Sequence, residues 1–149
     1  MLCLLHKIRR LRPALGLAGA MLPAACMTPP ANPFLGVWTT PEHNEITFRD
    51  GTLVVSPTGE PQTEMSPQAC AGKFHFGYSR KSRDALTALV PQQPDLRAKL
   101  GTMLQQPEYP VAELGCDQGE NTYVLLDDHD LLAIYRDADV AAVEQLSRL

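Results

Sequence analysis

The chain has 149 residues, 44% hydrophobic and 20% charged, with 13 Lys and Arg against 17 Asp and Glu for a net charge of −4. That length allows one domain with an ordinary core. An acidic chain repels phosphate backbones, so its balance of charge argues against nucleic acid as a partner.

The first 26 residues are the most informative. Lys7, Arg9, Arg10 and Arg12 form a basic opening, residues 13–25 are apolar, and Ala24-Ala25-Cys26 follows. Basic n-region, short apolar h-region and small residues at the cleavage point are the anatomy of a secretory leader. The segment resembles a bacterial lipoprotein signal. That resemblance implies that Cys26 becomes the first mature residue and carries fatty-acyl, palmitate-type chains. Pro23 stands where such signals usually place an aliphatic residue. Ala18-Gly19-Ala20 offers a second cleavage site, which would release a soluble periplasmic or secreted protein. The apolar run is too short to span a bilayer. The expected organisation is a signal peptide over 1–25, a lipidated cysteine and Pro-rich tether over 26–33, and one domain over 34–149. The leader holds four of the 13 basic residues and no acidic one, leaving nine against 17, a mature charge of −8. Such a domain is held to a membrane by its lipid rather than by attraction to anionic headgroups.

In chain order, residues 34–40 are apolar and β-prone and predict a first strand. Residues 45–49 alternate, Asp50-Gly51 supplies a two-residue turn, and residues 52–56 return, which predicts a hairpin. Residues 57–67 read as a polar loop. Residues 73–78 alternate again, with Phe74, Phe76 and Tyr78 on one face. Ser82 caps a helix over 83–90 that Pro91 stops, and Pro94 or Asp95 opens a second with Leu96, Leu100, Met103 and Leu104 as its apolar stripe. A strand over 111–116 follows, then a hairpin of 122–126 and 131–135. A final helix after Asp137 or Asp139 would carry Val140, Val143 and Leu146 on one side. Strands and helices in separate runs predict α+β: an antiparallel sheet of about seven strands, a two-helix insertion and a C-terminal helix.

Gly36-Val37-Trp38 resembles the G-x-W at the start of lipocalins, so a small lipocalin-like barrel is the alternative fold. In that family the Trp closes one end of the barrel and an Arg after the last strand packs on its face. The resemblance implies those roles for Trp38 and Arg136. The two helices in mid-chain depart from the eight successive strands of such a barrel.

Once Cys3 and Cys26 are set aside, Cys70 and Cys116 remain and predict a disulfide, as an exported domain permits. Neither belongs to a C-x-x-C, which argues against a zinc site. Arg80, Lys81 and Arg83 form the one basic run after the leader, a candidate grip on an anionic headgroup or glycan phosphate. Asp127-Asp128-His129-Asp130 has metal-ligand chemistry, but its place between two apolar runs predicts a solvated hairpin loop, without a metal. No nucleophile motif, phosphate loop or dinucleotide fingerprint occurs, so neither an enzyme nor a cofactor is expected. The sequence thus predicts a non-catalytic binding or assembly module of the cell envelope, facing the periplasm from a lipid anchor, with an envelope protein as partner. The alternative is a lipocalin-like carrier of a small apolar ligand.

Overall fold

Ile46 and Phe48 alternate with polar neighbours, and Gly51, at φ +76°, makes the left-handed turn that returns the chain. The result, in a computed structural model, is the hairpin of β2 (Glu45–Arg49) and β3 (Thr52–Ser56), with Arg49 opposite Thr52. The structure describes residues 32–116, 119–137 and 140–149. The signal peptide, Cys26 and most of the tether lie outside them.

Around this hairpin stand β1 (Gly36–Thr39), β4 (Thr63–Met65), β5 (His75–Ser82), β6 (Glu108–Cys116), β7 (Gly119–Leu125), β8 (Asp130–Asp137) and β9 (Val140–Arg148). All nine strands form one antiparallel sheet in the order β4-β3-β2-β1-β9-β8-β7-β6-β5, curled into a half-barrel. The last strand pairs with the first, Trp38 opposite Arg148. Helices α1 (Arg83–Thr87) and α2 (Pro94–Met103) lie between β5 and β6.

The expected α+β fold with about seven strands is therefore corrected to a mostly β fold with nine. The alternative, a small lipocalin-like barrel, fits the curled half-barrel, whose sheet is open with β4 and β5 at its two ends. Two segments account for much of the difference. Residues 63–65, within the expected loop, form the short edge strand β4. Residues 140–148, expected to be a helix, form β9 between β8 and β1. Ala, Glu, Gln and Leu favour helix in isolation, but pairing on both sides overrides that weak preference. Leu146 packs into the concave side while Val143 packs on the helix-covered side, a period of two rather than of 3.6.

The sheet is buried on both faces over β6–β8. Its concave side packs Phe34, Trp38, Ile46, Phe48, Leu53, Leu114, Tyr123 and Leu131. Its convex side packs Val111, Val124, Leu132 and Ile134 against Leu86, Val90, Leu100 and Leu104 of the helical segment. Two-sided burial explains the unbroken apolar runs at 122–126 and 131–135. Both mid-chain helices occur where expected, the first ending at Thr87. The Ser82 hydroxyl accepts from Ala85 N at 3.1 Å, and Pro94 opens α2. Pro110 sits within β6 opposite Arg80, one residue before the β7 ladder begins at Val111, a position where a missing N–H is tolerated.

Candidate functional site

Trp38 is fully buried, and its indole Nε1 donates to Phe34 O at 2.9 Å. The cation over its ring is Arg148, whose guanidinium carbon lies 4.2 Å from the ring centroid. Arg148 also donates to Asp128 O at 2.7 Å, Leu35 O at 3.0 Å and Pro33 O at 2.5 Å. One side chain thus ties the entering segment to the β7–β8 turn and caps the Trp. Arg136, expected in that role, instead pairs with Glu120 opposite it on β7. Among the described residues its buried Nε has no hydrogen-bond partner. The Arg over the Trp stands at the end of the last strand, not after it. That position is read as Arg148 only once residues 140–148 are known to be a strand.

Two side chains of the basic run are engaged by carboxylates of β6. Arg80 pairs with Glu108 at 2.8 Å and Lys81 with Glu113 at 3.1 Å, both across β6. Arg83 N donates to Pro107 O at the start of α1. In the acidic turn, Asp127 Oδ1 accepts from His129 N at 2.8 Å and Asp130 N at 2.9 Å, closing the hairpin loop.

Cys70 and Cys116 form the expected disulfide, with Cα atoms 4.9 Å apart. The bridge joins the loop leaving β4 to the end of β6, so it pins the connection between the sheet's two edges. Cys116 also lines a cleft of about 320 Å³ with Met65, Gly119, Asn121, Tyr135 and Ala142.

Beside that cleft, the Tyr135 hydroxyl donates to Glu144 Oε2 at 3.2 Å. Burial, and then a hydrogen bond shared with Glu42, hold the Glu144 carboxyl above its ordinary range. That same bond holds Glu42 below its own. The shared hydrogen bond thus moves the two carboxyls in opposite directions, favouring the protonated form of Glu144 over that of Glu42. Burial raises the Tyr135 phenol far above the usual range, and Glu144 and Tyr123 reinforce it. Neither carboxylate carries a sequence signal, because Glu42 lies in a turn and Glu144 in a segment that resembles a helix.

Strand β5 is the long free edge. It runs eight residues in unbroken register with β6, His75 opposite Gly115 to Ser82 opposite Glu108. Among the described residues it has no other neighbour in the sheet, whereas β4 at the opposite edge has only three residues. Along β5, Gly77 to Arg80 are all exposed. Edge strands direct alternate N–H and C=O groups outward and are templates for a further strand. β5 has neither a Pro nor a bulge to blunt it.

Set against protein-family models, curated proteins and solved structures, the chain matches none.

Proposed function

We propose that this protein is an exported, lipid-anchored module of the bacterial cell envelope that binds a partner protein without catalysis, taking an extended segment of that partner along β5. The observation that carries the reading is the eight-residue free edge. Main-chain hydrogen bonds along an edge supply affinity, and alternate side chains supply selectivity. The disulfide supports an oxidising compartment. The leader, with Cys26 after two alanines, supports the anchor. A carrier of a small apolar ligand is disfavoured because Phe34, Phe48 and Tyr123 fill the concave side, with Phe76 packed against them.

The test is a photoreactive residue placed at Ser79 in the intact envelope, with Lys99 on α2 as control. A single adduct at 79 and none at 99 is expected. In a β-strand only one of two consecutive residues turns its N–H to the free side. One of Ser79→Pro and Arg80→Pro should therefore keep the fold and abolish the adduct. Equal labelling from both sites, or an adduct that survives the folded proline variant, would refute the edge as the binding surface.

A further inference from the structure

The chain enters the fold at a well-held point. Asn32 Oδ1 accepts from Phe34 N at 3.1 Å, Asn32 O accepts from Leu35 N at 3.2 Å, and Pro33 O accepts from Arg148. Asn32 stands six positions after Cys26. An extended chain covers at most about 3.6 Å per residue, so Asn32 stays within roughly 20 Å of an acylated Cys26.

Three large hydrophobic residues are exposed among the described residues: Leu35 at 38%, Tyr78 at 40% and Leu149 at 71%. All three gather around this entry point. Leu149 N donates to Val37 O at 3.0 Å, and Arg148, its neighbour, donates to Leu35 O. The Tyr78 ring lies 5.4 Å from Phe34, and its hydroxyl shares a hydrogen bond with Asn32. Two aliphatic side chains and a Tyr, which presents an apolar ring and a polar tip, suit the boundary between headgroups and acyl chains.

We propose that this end of the domain rests on the bilayer that carries the Cys26 lipid, with Leu35 and Leu149 in the interface and Tyr78 at its margin. The inference rests on the lipid-anchor reading above. The turn of Asp127, Asp128 and Asp130 is held at the same end through Arg148, whose N–H donates to His129 O at 2.8 Å. Those carboxylates commit the surface to zwitterionic headgroups of the phosphatidylethanolamine or phosphatidylcholine type. Ala142, on the rim of the cleft, lies six residues back along β9 from Arg148, about 20 Å at the rise of a strand. That rim of the cleft then faces away from the membrane.

The test uses full-length protein extracted from membranes and placed in nanodiscs of phosphatidylcholine and phosphatidylethanolamine doped with a nitroxide-labelled lipid. The expected result is loss of more than half the amide NMR intensity at Leu35, Leu149 and His129, with Ala142 and Asn121 little changed. Leu35→Glu with Leu149→Glu, still acylated, should return the first group towards the intensity of Ala142. Intact mass on the same sample separates the two ideas. A protein without an acyl group on Cys26 overturns the anchor reading and this orientation with it. An acylated protein whose Ala142 and Asn121 signals broaden first, or whose pattern is unchanged by the two glutamates, overturns the orientation alone.

Discussion

Removing Arg148 should cost far more than an exposed arginine usually does, and part of that cost should vanish when Trp38 is already gone. Arg148 makes three hydrogen bonds to backbone carbonyls and lies on the Trp38 ring at 4.2 Å. Hydrogen bonds from a charged donor contribute about 1.5–3 kcal/mol each when buried. The side chain is only half-buried and water replaces part of each bond, so Arg148→Ala is expected to cost about 2–3 kcal/mol in total. Trp38→Ala empties a fully buried site and is expected to cost about 3–5 kcal/mol. The cation–π contact couples them by about 1 kcal/mol, so the double variant should be that much more stable than additivity predicts. Trp38 is the single Trp of the chain, so unfolding in urea is followed by circular dichroism rather than fluorescence. With a slope of about 2 kcal/mol per molar urea, the coupling appears as a midpoint difference of about 0.5 M. Arg136→Ala combined with Trp38→Ala is the control and should be additive, because Arg136 pairs with Glu120. Additivity at Arg148 within about 0.3 kcal/mol, or coupling at Arg136 instead, would refute the assignment of the latch.

Cys70→Ser with Cys116→Ser opens a loop spanning 46 positions and should lower stability by about 4 kcal/mol on the chain-entropy estimate, with faster tryptic cleavage at Lys73 as the readout. Gly119→Ala should destabilise strongly, since its Cβ would run into the backbone carbonyl of Arg136, while Gly77→Ala meets nothing within 4 Å and should leave the melting temperature almost unchanged; equal effects would contradict the packing. The Glu42–Glu144 pair makes stability depend on pH in two directions. Glu144, raised above its ordinary value of 4.5, stabilises fully below that pH and loses its contribution as pH rises through its folded pKa. Glu42, lowered from the same value, contributes above pH 4.5 and loses that as pH falls through its folded pKa. Glu144→Gln should therefore flatten the decline of the urea midpoint above pH 4.5, and an unchanged slope would refute the coupling of the two carboxyls.

Where a feature depends on near neighbours in the chain, it is legible in the residues themselves. The hairpin from Glu45 to Ser56 follows from alternation and a Gly that tolerates positive φ. The starts of α1 and α2 follow from the Ser82 cap and Pro94, local signals that act within a turn of helix. The partner of Cys70 follows from counting the cysteines that remain. Tertiary pairing decided the rest. Residues 140–148 carry helix-favouring side chains and become β9 only because β8 and β1 supply hydrogen bonds on both edges. Residues 63–65 are too short for a periodic signal and form a strand only beside β3. Once β9 lies next to β1, Arg148 reaches Trp38, and Glu144 reaches both Glu42 and Tyr135. The free edge of β5 has the same origin: its residues read as one more strand, and only the order of the whole sheet leaves one side without a neighbour. Propensity and capping act over a few residues, whereas strand order is a balance of contacts between segments as far as 110 positions apart, Trp38 and Arg148, which no short window of sequence contains.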